Sequence, residues 1–171
     1  MNLVVFPSEF GWMAAAADGE VLHQLTFGHA SPDGALKSIR YCDSMPDRPE
    51  KFLAALRRRL QKFAREPDDD FRDIQVAIET FTDFQRAVVE SCRNISAGHT
   101  ITYGELAAAA GYPGAARAVG QVMATNRFPI IVPCHRVVGA NGSIGGFSAP
   151  SGINLKRQLL DREAACRVCT K

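Results

Sequence analysis

Two capping boxes commit the second half of this chain to short helices. In Thr82-Asp83-Phe84-Gln85 and again in Thr102-Tyr103-Gly104-Glu105, a threonine is followed three residues later by Gln or Glu. Each partner of such a box satisfies a backbone N–H that is free only at a helix start. Behind the first box, Phe84, Val88, Cys92 and Ile95 recur at helical spacing, and Gly98 ends the unit. The second box opens an alanine-rich helix that closes at Gly111. Pro113 stands where a first helical position would be, so a third helix is predicted from there to about Thr125. Two short helices across Gly111-Tyr112 fit a helix-turn-helix, and they fit an ordinary αα-hairpin equally well.

The first half reads differently. Leu3–Phe6 is strand-like, and Trp12–Ala17 and Glu20–Phe27 flank the turn signal Asp18-Gly19. Alternation places Val21, His23, Leu25 and Phe27 on one face. Residues 28–49 are polar and rich in turn formers. A helix is predicted next, with Pro49 or Glu50 in its first turn, Phe52, Leu56, Leu60 and Phe63 inward, and Arg57, Arg58, Arg59 and Lys62 mostly solvated. Phe71–Ile78 reads as a returning strand. We therefore expect an α/β N-terminal domain over 1–78 and a mostly helical domain over 79–171. A unit as small as the first is marginal alone and is expected to lean on the second.

Composition narrows the function. With 46% hydrophobic and 22% charged residues, the 171-residue chain is neither disordered nor fibrous. No apolar run is long enough to span a bilayer. The start, MNLVVFPSEF, lacks a basic region and is broken by Pro7, so no secretion signal is expected. Residues 91–160 hold six basic side chains (Arg93, Arg117, Arg127, Arg136, Lys156, Arg157) against one acidic, Glu105. That asymmetry suggests a polyanion partner for the second half. The helix after Pro113 carries Arg117 on an otherwise bare surface, so any DNA contact there is expected to read little sequence. Five cysteines at irregular spacing do not make a disulfide framework. The terminal pair Cys166 and Cys169 has no second pair to complete a zinc site, and Cys92 falls on an apolar stripe.

Cys134 is the candidate nucleophile. It follows the apolar run Phe128–Pro133, which reads as short, extended and buried, and it precedes His135 and Arg136. A neighbouring imidazole or guanidinium favours the thiolate, although a cysteine in such a setting is often inert core. In the last helix, expected to start around Ser151–Asn154 and to end near Ala165, Leu155, Leu159 and Glu163 share one face. A carboxylate on an apolar face needs a partner. His135 is one candidate, giving a nucleophile, a base and an orienting acid; an arginine, or solvent at the helix end, is the other. Asn141-Gly142 reads as a tight turn between Arg136–Ala140 and Ser143–Phe147.

From Phe81 to Glu163 the chain resembles the 6-O-alkylguanine-DNA alkyltransferases. The resemblance rests on TDFQ (82–85), TYGELA (102–107), ARAVG (116–120), Asn126, IIVPCHRV (130–137), GGFS (145–148) and LLDRE (159–163). It implies a ribonuclease-H-like first domain and a helix-turn-helix, winged-helix-like second one. It implies that Cys134 accepts the alkyl group, that His135 is a water-linked base, and that Glu163 orients it. Asn126 would brace the neighbouring turn, and Tyr103 would hydrogen-bond the guanine ring. Arg117 would fill the gap left by an extruded nucleotide, on a helix docked in the minor groove with Ala116, Gly120 and Met123. Ser148 and Phe147 would meet the alkylated base, and the carbonyls of Cys134 and Val137 would hold its amine.

The implied activity is DNA repair by irreversible, single-turnover alkyl transfer from the 6-oxygen of guanine in double-stranded DNA, with the 4-oxygen of thymine as a second candidate. No metal, organic cofactor or membrane is expected to take part. A monomer is expected, in the cytoplasm of a prokaryote beside the nucleoid or in the nucleus of a eukaryote. There are departures from the family pattern. Phe147 stands where a tyrosine is common, Ser96 where a proline is, and Ala124 where some members carry a second basic residue. His23, His29 and Cys42 do not form a convincing zinc set. The competing readings are a binder of alkylated guanine that transfers nothing, a winged-helix regulator and a cysteine hydrolase. Cys134 argues against the first, the lack of an effector domain against the second, and the missing oxyanion motif against the third.

Overall fold

The computed structural model of the chain describes residues 1–40 and 50–168. Three strands, β1 (Asn2–Ser8), β2 (Gly11–Asp18) and β3 (Val21–His29), form an antiparallel meander, and β4 (Gln75–Val76) adds to β3 in parallel. The simple alternation expected for β3 is broken. Ala16 pairs with Gln24 but Ala17 pairs with Leu22, so His23 is an extra residue on its strand. A bulge of one residue moves the following side chains to the other face. Leu22, Leu25 and Phe27 are therefore the buried set, while Val21 and His23 are half-buried.

Every residue of β2 from Met13 to Ala17 is buried, because the sheet is covered on both sides. On one face lies α2 (Lys51–Phe63), which buries Leu53, Leu56, Leu60 and Phe63, with Phe52 only half-buried. On the other lies α1 (Pro32–Lys37), a helix inside the stretch expected to be irregular. Ser31 caps it by accepting from Gly34 N at 3.1 Å, and Ala35 fits against Ala14 and Ala16 where a larger residue would not. Pro49 and Cys42, the first expected in a helical turn and the second weighed as a zinc ligand, lie outside the described residues.

Arg59 is not a solvated residue of α2. It forms a fork with Asp69 (2.7 Å) and Asp73 (2.6 Å) and lies 5.1 Å over the ring of Phe71. Phe71 itself takes a positive φ of 51° with its ring buried edge-on to Phe63. The returning strand expected over 71–78 is thus reduced to Gln75–Val76. The carbonyls of Phe71, Arg72 and Ile74 turn instead toward one guanidinium nitrogen of Arg93, at 2.8, 3.1 and 2.9 Å.

The second half contains α3 (Asp83–Arg93), α4 (Tyr103–Ala109), α5 (Ala116–Ala124) and α6 (Gly152–Val168). Both capping boxes close in both directions. Helix α5 starts three residues later than expected, because Gly114 sits at a φ of 87°, which helix geometry excludes. Helix α6 continues past Ala165 to Val168. A two-residue parallel ladder joins β5 (Ile101–Thr102) to β6 (Val137–Val138) and so sets the start of α4 beside residues 134–136.

One buried apolar cluster runs through both halves, from Val4 to Leu159. Polar contacts reinforce it: Leu25 N donates to Arg127 O at 2.8 Å, Arg162 donates to Ala64 O, and its guanidinium lies 4.7 Å over Phe10. Arg93 is the most exacting of these ties, since one side chain serves three carbonyls. Arg93→Met is expected to destabilise the chain by about 2 kcal/mol, read as a lower urea midpoint at an unchanged slope.

Candidate active site

Cys134, His135 and Arg136 share a single 3-10 turn and are all buried. The apolar run before them is buried as expected but is not extended. Ile130 takes a φ of 74°, and Val132 N reaches back to Phe128 O at 2.7 Å. Asn126 closes this loop from inside. Its amide donates to Val132 O at 2.9 Å, and its carbonyl oxygen accepts from Phe128 N at 2.9 Å. The turn that delivers Cys134 is therefore held by one side chain at its base.

Glu163 is buried on α6 beside Leu155 and Leu159. The two partners weighed for it from sequence are both present. His135 Nε2 lies 2.8 Å from Oε1, Arg136 grips both oxygens from Nε and Nη2 at 2.7–3.2 Å, and Gly98 N donates at 3.1 Å. Arg136 Nη1 donates onward to Ile95 O at 2.6 Å. Burial alone would raise the acid's pKa, but His135 and Arg136 bring it down to about 2. An ionised Glu163 can only accept, so Nε2 of His135 carries the hydrogen. Nδ1, buried and without a protein partner among the described residues, is left as the basic nitrogen. Burial also lowers the imidazole's pKa against the pull of Glu163, which favours the neutral form.

The thiol of Cys134 is pushed up by burial. Asn126, Lys156 and the local backbone N–H groups pull it the other way. Lys156 is a functional candidate that the sequence reading left among the surface charges. It is fully buried, and its ammonium donates to Val137 O at 2.7 Å. Its spacing from Leu159 and Glu163 on the same helix was the available signal. Arg136 was likewise counted with the basic surface and lies inside. Two of the six cations in residues 91–160 thus do not face a polyanion.

Cys134 opens onto two cavities. One, of about 410 Å³, is lined by Tyr103, Gly120, Met123, Ala124, Gly146, Phe147 and Ser148. The other, of about 570 Å³, reaches past Phe147 and Ser148 to β3 and Asn126. Phe147 stands between them, edge-on to Phe27 at 6.1 Å. The structure thus brings Cys134, His135, Glu163, Asn126, Tyr103, Gly120, Met123, Phe147 and Ser148 together. Val137 is buried behind the turn and lines neither cavity, while Ala116 is half-buried and Arg117 exposed on α5. The turn at Asn141-Gly142 forms, with Gly139 N on Ser143 O at 2.8 Å, but residues 143–147 add no strand. This arrangement sets a thiol, a neutral imidazole and an ionised carboxylate at the wall of a cleft.

Comparison with known proteins gives concordant matches. Residues 83–165 match the family described as 6-O-methylguanine DNA methyltransferase, DNA binding domain. A methylated-DNA–protein-cysteine methyltransferase of Methanosarcina acetivorans is 38% identical over 166 residues, covering 97% of this chain and 100% of that protein. The crystal structure of Mycobacterium tuberculosis OGT in complex with DNA superposes with a TM-score of 0.78 at 35% identity, covering 97% of this chain and 94% of that one. The O6-methylguanine-DNA methyltransferase of Pyrococcus kodakaraensis gives 0.68 at 28% identity, covering 95% and 98%. These neighbours share an α/β N-terminal part and a helical C-terminal domain.

Glu163 yields a prediction with a defined sign. Its pKa is lowered from 4.5 to about 2, so its stabilisation is complete above about 4.5 and is lost as pH falls toward 2. Glu163→Gln leaves Arg136 as an uncompensated buried cation and is expected to cost about 3 kcal/mol at pH 7. In urea unfolding at a series of pH values, the gap to the native chain should narrow below pH 4.

Proposed function

The chain belongs to the methylated-DNA–protein-cysteine methyltransferase family, and we propose that Cys134 is the sulfur that takes the alkyl group. The protein repairs DNA by moving an alkyl group directly from a damaged base onto its own chain. The observation that carries Cys134 is its position. Among the described cysteines it alone lines a cleft, and the free nitrogen of a neutral imidazole belongs to the next residue.

The step is a displacement at carbon. The thiol proton passes to His135 Nδ1 through a bridging water, and Glu163 stabilises the imidazolium that forms. The sulfur lone pair makes the new S–C bond as the C–O bond breaks, and the released electron pair goes to the guanine. Tyr103 donates a hydrogen bond to the ring as that charge arrives, and the proton the guanine finally gains balances the one the thiol lost. The product thioether is not cheaply hydrolysed, so each molecule acts once. The displacement needs no metal or organic cofactor.

The base must leave the stack to reach a thiolate in a cleft. The 410 Å³ cavity beside Tyr103, Gly120 and Met123 is where we place it. Ser148 meets the alkylated oxygen and Phe147 closes the wall. The carbonyl of Cys134 holds the amine. Helix α5 docks in the minor groove. There Ala116 and Gly120 allow close approach, and Arg117, exposed and without a partner among the described residues, fills the vacated stack. Asn126 keeps the loop in place. Alkyl groups on the 4-oxygen of thymine would enter by the same route.

In this reading residues 79–171 carry a helix-turn-helix, winged-helix-like DNA face, and residues 1–78 form a ribonuclease-H-like buttress. A three-stranded meander with a parallel fourth strand and a helix across it supports the second description. The reading is of a monomer acting on double-stranded DNA in the cytoplasm or nucleus; no helix among the described residues is long and apolar enough to cross a membrane.

Incubation with a duplex containing 6-O-methylguanine is expected to add one methyl group to the intact mass, mapped to Cys134. Cys134→Ala should abolish labelling while retaining DNA binding; undiminished transfer in that variant would overturn the assignment. Arg117→Ala should slow transfer from the duplex at least about tenfold more than transfer from the free base, because extrusion costs a few kcal/mol only in the duplex. Equal losses on both would reject its role.

A further inference from the structure

The outward face of α5 is almost bare. Ala118 and Ala124 offer only methyl groups, and two long polar side chains remain, Arg117 and Gln121. They lie four residues apart and therefore on one side of the helix. Both are exposed, and neither has a partner among the described residues. Thr125, four residues further on, turns its hydroxyl back to Gln121 O at 3.0 Å. Gln121 directly follows Gly120, which lines the smaller cavity together with Tyr103 and Cys134. A Cβ at Gly120 would come within 3.9 Å of the Tyr103 ring, so this point of α5 lies against the cavity itself. Gln121 is thus one residue from the cavity lining, on the exposed side of the same helix.

We propose that Gln121 reads the base pair next to the lesion, accepting a hydrogen bond from the 2-amino group of guanine in the minor groove. The proposal rests on the reading above, in which α5 carries the DNA face. A carboxamide brings both a donor and an acceptor. In the minor groove every base pair presents acceptors, so a side-chain donor finds a partner at any sequence. Only a G·C pair adds a donor, and only a protein acceptor gains from it. Oε1 of Gln121 is the long side-chain acceptor on this face. The bareness around it lets the helix come close enough to a narrow groove for that contact to form. The expected absence of sequence reading along this helix then has one exception, at the neighbour of the damaged base.

Duplexes that differ only in the pair beside 6-O-methylguanine test this. The neighbour is G·C, A·T, or inosine·C, which removes the 2-amino group and leaves the major-groove edge of the pair intact. Second-order rates of methylation of the full chain are read by intact mass, with dissociation constants measured in parallel. The native chain is expected to favour G·C over inosine·C by about 3- to 10-fold, with inosine·C matching A·T. Gln121→Leu should bring the ratio to one, and Gln121→Asn, shorter but still an acceptor, should leave an intermediate ratio. A native ratio of one, or a preference that survives either inosine or Gln121→Leu, overturns the proposal. Each ratio compares a protein with itself, so an overall loss of activity or stability in a variant does not obscure it. Absence of transfer from every duplex would instead sink the repair reading, and the two failures are distinct.

Discussion

A buried carboxylate organises the second half of this molecule. Glu163 of α6 accepts hydrogen bonds from His135 and Arg136 of one turn and from Gly98 ahead of β5, and it does so out of contact with water. The arrangement is stable because the charges are matched and the remaining donors are used: Arg136 passes on to Ile95 O, while Lys156 is satisfied by Val137 O. The same contacts select the tautomer of His135. An ionised acid at Nε2 leaves Nδ1 as the acceptor, so the contact that ties α6 to the turn also fixes which imidazole nitrogen is basic.

The first half has a physical part in the site although none of its described residues lines the smaller cavity. Leu25 of β3 hydrogen-bonds to Arg127, the residue between Asn126 and the active-site run. Phe27 of the same strand packs edge-on against Phe147, the wall of both cavities. Arg93 reaches the other way, from α3 into the loop at 71–74. The sheet therefore fixes one side of the cleft from behind, and the apolar cluster continuous through both halves makes that support stiff.

What could be read from the residues follows from how local each determinant is. The capping boxes at Thr82 and Thr102 and the stripe Leu155, Leu159, Glu163 depend on neighbours within two helical turns, and they formed as read. The register of β3 shifts twice, at His23 and again between Thr26 and His29, which the alternation pattern does not reveal. Helix α1 is too short and polar to show periodicity, and it forms because Ala14 and Ala16 leave room for Ala35. The loop at Phe71 yields to distant cations, Arg59 and Arg93. Arg136 and Lys156 read as surface charge because what draws them inside lies on other elements. The carboxylate partner of His135 was within reach only because Glu163 fell on an otherwise apolar face.

The contrast between that interior network and the bare face of α5 bears on how such a chain can vary. Arg136, Glu163 and His135 satisfy one another, so altering one strands the rest, and their substitutions will combine far from additively. The side chains of Gln121 and Arg117 are exposed, without a hydrogen-bond partner among the described residues, and can be exchanged one at a time without disturbing the core. The interior network is thereby the costly part of this domain to alter and the outer face of α5 the inexpensive one, so a change of side chain on that face leaves the folded core intact.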